Sequence, residues 1–315
     1  MRVVFLGTPS FAVATLDAIY NSMHKIVGVV TTPDKPAGRG LKLQASEVKN
    51  YAISKGIPVL QPQSLKDELF IDTLKSWKAD VFVVVAFRML PQCVYEIPPK
   101  GSFNVHASLL PQYRGAAPIH WAIMNGEKKT GVTTFFLNNE IDCGDIILQK
   151  ETEILPEETT GELYNRLQVM GAELALDTLS VIENNEYQLV KQQFVANETI
   201  KLAPKIQKKD TWIDWNLPAK EIINKIRALS PYPGATTFIA KNEKTKVALK
   251  IFKATILEEK TENKCGEIAT NYKTFLTIST KDFKISIQNL QLEGKKRLDI
   301  TTFLSGCKMC NYTII

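Results

Sequence analysis

Short, wholly apolar runs alternate with amphipathic stretches through the first half of the chain. Residues 2–6, 26–31, 58–60 and 80–86 read as strands, and their unbroken hydrophobicity predicts a sheet covered on both faces. Between them, Phe11, Leu16 and Ile19 space a core-facing stripe along one helix, and further helices are predicted near 45–55, 64–76 and 116–124. Thr8 is placed to cap the first helix, with Pro9 at its first position. Strands at 131–137 and 146–150 precede a long helix at 159–183, with Leu163, Leu167, Met170, Leu174 and Leu179 on its buried side. Strands alternating with helices make this an α/β domain with a Rossmann-like, mostly parallel sheet. Only Gly7 stands at the first turn and the glycine-rich phosphate fingerprint is absent, so no dinucleotide is expected. Ligands of such sheets bind beyond the carboxyl ends of the strands, here near Ala86 and His106.

From about residue 205 the period changes. One helix at 219–228 is followed by alternating stretches at 247–255, 274–279 and 283–291, which predict a small β-barrel. Charge changes with it: residues 205–315 hold 20 Lys and Arg against 11 Asp and Glu, a balance of +9 in a chain whose total is +6. The expected organisation is a first domain over 1–187, a linker over 188–204 and a basic second domain over 205–315. A mildly acidic part joined to a basic one suits a small-molecule site coupled to a module that meets a polyanion. The first residues do not form a secretory signal and no apolar run reaches membrane-spanning length, so the expected compartment is the cytosol. The chain has five cysteines, an odd number, and the Cys307-x-x-Cys310 pair has no second pair at ligand spacing. Neither a disulfide framework nor a metal site is expected.

The candidate chemistry lies in Ser102-Phe-Asn104-Val-His106-Ala-Ser108-Leu109-Leu110-Pro111-Gln-Tyr-Arg-Gly115. On a strand Phe103 and Val105 face one way, Asn104 and His106 the other, so two polar side chains sit together on one face. Pro111 and Gly115 then carry the chain into a loop. Alone, Asn-Val-His reads better as a satisfied buried pair than as a site, and Asp142, in Glu-Ile-Asp-Cys-Gly-Asp, reads as turn chemistry. The ordered string Asn-x-His-x-Ser-Leu-Leu-Pro-x-x-x-Gly followed by that Asp resembles the signature of the folate-dependent formyltransferases. The resemblance implies that Asn104, His106 and Asp142 form the catalytic set. It also implies that Ala86, Phe87, Met89 and Leu90, with Ser108, Leu109, Leu110 and Pro111, border the folate, the first segment largely through its main chain. Arg88 departs from the pattern, which leads one to expect Gly there. His120, on a predicted helix, is read as a packing residue, and Cys143 as a turn residue.

A second resemblance is more specific. The stretch 32–44, with Lys35, Gly38, Arg39, Gly40 and Lys42, reads on composition as a loop without regular structure. It resembles the insertion of the branch of the family that acts on methionyl-tRNA, and residues 203–215 resemble the entry to that branch's second domain, an OB-like barrel. Lys35, Arg39 and Lys42, and the basic turn Gly294-Lys295-Lys296-Arg297, are the expected tRNA contacts. Together these imply transfer of a formyl group from 10-formyltetrahydrofolate, as co-substrate and without a metal, to the amino group of methionyl-initiator tRNA. They imply direct attack with oxyanion stabilisation, no covalent enzyme intermediate, and a monomer. Two alternatives stand beside this reading. One is a formyltransferase acting on an amino sugar or glycinamide ribonucleotide; the other is a non-catalytic tRNA-binding protein on the same scaffold.

Overall fold

The computed structural model describes residues 1–37, 42–192, 199–241, 245–260, 262–307 and 312–315. They form two compact units. The first comprises Met1–Pro118, Lys129–Glu153 and Tyr164–Ala203, and the second comprises Ile119–Lys128, Ile154–Leu163 and Pro204–Ile315. The second unit therefore draws on two internal segments besides the chain from Pro204 onward. No helix among the described residues is long and apolar enough to cross a membrane.

The chain begins with β1 (Arg2–Gly7), α1 (Ser10–Tyr20), β2 (Lys25–Val30), β3 (Lys35–Ala37), β4 (Lys42–Gln44), α2 (Glu47–Ser54) and β5 (Val59–Leu60). It continues through α3 (Glu68–Ser76), β6 (Val81–Val85), α4 (Gln92–Tyr95), β7 (Ser102–His106), α5 (Pro118–Met124), β8 (Lys129–Phe136), β9 (Ile146–Glu153) and α6 (Thr160–Asn184). The sheet order is β5-β2-β1-β6-β7-β8-β9. The first five strands are parallel, while β8 is antiparallel to β7 and β9 antiparallel to β8. All five residues of β6 are buried, as expected of a central strand covered on both faces. Phe82 and Val84 on one of those faces join Val4, Leu6, Phe70, Leu74 and Leu90 in one core cluster. In register, Gly7 lies beside Val85 and Val85 beside Val105, so β1, β6 and β7 end at one level of the sheet.

Two local expectations change. Thr8 does not cap α1: Pro9 takes the cap position without a side-chain bond, and the Thr8 hydroxyl is buried without a partner among the described residues. Proline in the cap position, with its fixed φ, leaves Thr8 one residue too early to reach the orphan N–H groups. The insertion is not irregular throughout. Lys35 pairs with Gln44, Pro36 with Leu43 and Ala37 with Lys42 in an antiparallel ribbon. Main-chain bonds build that ribbon, and an isolated pair of three-residue strands leaves room for a proline on an edge.

The second unit has a 3-10 turn at Lys208–Thr211, then α7 (Ala219–Ala228), β10 (Ala235–Lys241), β11 (Thr245–Lys260), β12 (Ile268–Thr270) and β13 (Leu276–Ser279). It ends with β14 (Phe283–Leu292), β15 (Leu298–Asp299), α8 (Ile300–Gly306) and β16 (Tyr312–Ile314). The order β12-β13-β14-β11-β10-β16 is antiparallel throughout and curls into a nearly closed barrel. Register shifts along β11 against β14 bend the long strand, the usual device for curling a sheet. Ile222 and Ile226 of α7 plug one opening against Ile251, Ile285 and Ile287, and Met124 joins the same core.

Candidate active site

Asn104 and His106 project from the same face of β7, with Phe103 and Val105 buried on the other. The His106 ring is 6% exposed. Its Nε2 lies 2.9 Å from the Tyr113 carbonyl oxygen, which can only accept, so Nε2 carries the hydrogen. Nδ1 is the nitrogen left to change protonation, and it faces Asp142 Oδ2 at 3.9 Å, too far for a direct hydrogen bond. That Asp142 oxygen accepts from the Gly115 N–H at 2.9 Å, which fixes the carboxylate beside the ring. The Asn104 amide makes no hydrogen bond among the described residues and is only partly buried.

The loop after His106 is braced by residues far away in sequence. Ser108 is fully buried and its hydroxyl donates to the Gln112 carbonyl at 2.7 Å. Thr133 donates to the Ser108 carbonyl and accepts from the Leu110 N–H, while Gln149 donates to Thr133 and to the Leu110 carbonyl. Gln192 organises the other side. Its oxygen accepts two bonds from Arg114, and its nitrogen donates to the carbonyls of Asp142 and Gly144. Residues 201–203, in the stretch read from sequence as linker, run beside the loop. Tyr113 donates to the Lys201 carbonyl, and Ala203 bonds with Arg114 and Ala117. Tyr113 and Asp142 both adopt positive φ, at 62° and 54°. For a tyrosine that is a strained conformation, held here by its neighbours on both sides. Thr133, Gln149 and Gln192 carry no local motif, and only their distant partners reveal their part in the site.

At the end of β6, Ala86 is exposed with φ 47°, another non-glycine residue in the left-handed region. The main chain of residues 87–89 makes no hydrogen bond among the described residues, so these groups are available to a polar ring system. Phe87 and Leu90 pack into the core, whereas Met89 is 58% exposed. Arg88 turns away from this face. It donates to the Pro62 and Gln63 carbonyls, stacks on Phe87 at 5.6 Å, and is held by burial below the usual guanidinium range. Leu109 is half-buried, as is Pro111, while Leu110 joins Phe135 and Ile146 in a small core cluster.

Elsewhere, Lys35 is exposed on β3, Lys42 stands on β4, and Arg39 lies outside the described residues. Lys295 and Lys296 are exposed on the turn at Gly294. Arg297 is docked instead, over the Phe252 ring at 4.3 Å with its Nε donating to Asn289. His120 donates to or accepts from nothing near Asn104; its ring nitrogen meets the Tyr232 carbonyl at 3.4 Å. Cys143 donates to the Ile141 carbonyl, and burial raises its thiol above the ordinary range, which disfavours a nucleophilic thiolate. Cys307 is half-buried and Cys310 lies outside the described residues.

The chain as a whole resembles known proteins. Residues 1–179 match the formyl transferase family and residues 205–308 the formyl transferase C-terminal domain. A methionyl-tRNA formyltransferase of Parabacteroides distasonis is 45% identical over 318 aligned residues, covering 100% of this chain and 98% of its own. One from Flavobacterium johnsoniae is 47% identical, covering 97% and 96%. Among solved structures, an N-formyltransferase from Helicobacter canadensis in complex with folinic acid and dTDP-3-aminofucose shares the fold at TM-score 0.65 and 24% identity, covering 91% of this chain and 99% of that one. HypX from Aquifex aeolicus in complex with tetrahydrofolic acid superposes at 0.64 with 19% identity, covering 96% of this chain and 47% of its own.

Proposed function

The chain belongs to the formyl transferase family over both of its units, and from that premise we propose that it formylates methionyl-tRNA, taking the formyl group from 10-formyltetrahydrofolate. The observation that carries the acceptor is the full-length likeness to methionyl-tRNA formyltransferases at 45% and 47% identity, second domain included. The free main chain of 87–89 and the exposed Ala86 and Met89 fit a folate ring held by backbone groups. Lys35, Lys42 and Arg39 on the insertion, with Lys295 and Lys296 on the basic turn, are the proposed contacts to tRNA. The reaction belongs to the cytoplasm, where methionyl-tRNA is used.

The residues account for the chemistry in order. The uncharged amine of the methionyl group attacks the formyl carbon, a carbon–nitrogen bond forms, and the carbonyl electron pair moves onto oxygen. The Asn104 amide, free of internal partners, donates to that oxyanion. His106 is held at Nε2 by the Tyr113 carbonyl, which leaves Nδ1 to take the proton that the attacking nitrogen must lose. Asp142, 3.9 Å away, stabilises the imidazolium so formed. The proton returns to the folate nitrogen as its bond to the formyl carbon breaks, and formyl-methionyl-tRNA and the deformylated folate result. The direct test is formyl transfer measured side by side with methionyl-tRNA, glycinamide ribonucleotide and a nucleotide-linked amino sugar. Turnover is expected with methionyl-tRNA alone. Preferential turnover of either small amine would overturn the acceptor, and no turnover of any would overturn the enzyme.

A further inference from the structure

The second unit contains a cavity of about 420 Å³ that the formyl chemistry does not use. Trp212, Trp215 and Phe238 line it together with the polar residues Lys246 and Asp214. Volumes of this order accommodate a small organic ligand.

Trp212 is the telling residue. It is 47% exposed, although a tryptophan gains much by burial, whereas Trp215 beside it is 5% exposed. Its position is nonetheless fixed. The Trp212 N–H donates to the Lys209 carbonyl, its carbonyl accepts from Lys225 Nζ at 2.8 Å, and its ring meets Phe238 edge-on at 6.1 Å. A half-exposed indole on a pinned main chain, with one ring neighbour, is a stacking platform that costs little further ordering when a flat partner arrives. Lys246 Nζ sits 4.1 Å over the Phe238 ring, held at the rim of the same wall, and an ammonium has three donors to share. The Trp215 N–H is already given to Thr237, and Asp214 accepts from Asn216, so these polar groups are satisfied without a ligand. The occupant must therefore offer a flat ring to the indole and an anion to the lysine, in a unit with 20 Lys and Arg against 11 Asp and Glu from residue 205 onward. A free polyphosphate is disfavoured by the Asp214 carboxylate, and an apolar peptide makes no use of Lys246.

We propose that this cavity binds one unpaired nucleotide of an RNA strand, with the base stacked on Trp212 and its phosphate at Lys246. It rests on the tRNA reading only in the identity of the strand, and it names a contact that reading does not contain. The test uses the full chain and a short unstructured oligoribonucleotide, such as a uridylate or adenylate hexamer carrying a 5′ fluorescein, titrated by fluorescence anisotropy of the label across a range of salt. Wild type is expected to raise the anisotropy on binding, a readout that does not depend on the tryptophans. Trp212→Phe should keep affinity within about threefold. Trp212→Ala should lose about five- to a hundredfold, the usual range for a lost stacking partner. Lys246→Gln should flatten the salt dependence by about 0.7 of a unit, one phosphate contact on a single strand. Cys265, which also lines the cavity, gives an independent reading: the hexamer should slow its alkylation, followed by peptide mass mapping. Equal hexamer affinity for wild type and Trp212→Ala, or unchanged Cys265 alkylation, overturns the site. Formyl transfer to methionyl-tRNA by wild type is run in parallel. Its failure would overturn the proposed function and leave the hexamer result standing, while indifference to Trp212 alongside normal transfer overturns only the nucleotide site.

Discussion

His106 stands between two acceptors, a carbonyl at Nε2 and a carboxylate opposite Nδ1, with the unpaired Asn104 amide two residues before it on the same face. In the proposed mechanism, removing either side chain takes away a proton carrier or an oxyanion donor, each worth about a hundredfold or more. His106→Ala and Asn104→Ala are expected to lose at least that much turnover with unchanged circular dichroism, and near-normal turnover of His106→Ala would refute the mechanism. His120→Ala is expected to keep turnover within a few-fold. The juxtaposition of Asn104 and His106 was legible in the sequence, because the two-residue period of a strand places them together regardless of what surrounds them. Asp142 was legible only through the longer string. Gln192 was not legible at all: the carbonyls it holds are 50 and 48 residues away in sequence, and no local pattern encodes such a bond.

At the scale of elements, the turn bearing Asp142 is packed against the end of β8 so closely that residue 144 has no room for a side chain. A Cβ there would lie 1.6 Å from the Phe136 carbonyl oxygen, a rigid main-chain atom. Gly144→Ala must therefore push the turn away from the strand. The expected cost is about 1–3 kcal/mol of stability, read by denaturant unfolding, together with a marked loss of turnover as Asp142 leaves His106. A variant with wild-type stability and rate would show that the turn yields freely. The buried strands and the long helices were readable because burial on both faces, or on one stripe, writes a strong apolar period. The ribbon of β3 and β4 was not, because its pairing runs through main-chain atoms of Lys, Pro and Ala facing Lys, Leu and Gln. The three-residue strands β12 and β16 were missed for a related reason, being too short to establish any period.

At the scale of the molecule, charge and protonation make separate predictions. Lys295 and Lys296 are exposed on their turn, whereas Arg297 is anchored on Phe252 and Asn289. Neutralising both lysines should flatten the salt dependence of tRNA binding by at most about 1.4–1.8 units, at roughly 0.7–0.9 per phosphate. Arg297→Ala should instead lower stability through its lost packing. An unchanged salt slope in the double-lysine variant would remove that turn from the interface. Burial holds the imidazoles of His24 and His120 below the ordinary 6.5. The unfolded chain then takes up protons near that value before the folded one does. Stability is full above about pH 7 and is lost as pH falls below about 6.5 toward the lower folded values. Thermal unfolding of wild type should show this decline, and His120→Gln should flatten it in part; a parallel profile would contradict the assignment.

The second unit's claim on Ile119–Lys128 and Ile154–Leu163 has a consequence during synthesis. Met124 and Leu163 emerge from the ribosome long before β11, β14 and β16, the strands of the barrel they belong with, have been made. At about 5–20 residues per second, the roughly 150 residues after Leu163 take some 8–30 s to follow. During that interval Met124 lacks the barrel side chains with which it shares a core. A fragment released near Ala203 is expected to keep the Met124 segment uncovered, read as binding of a hydrophobic dye that the full chain does not bind.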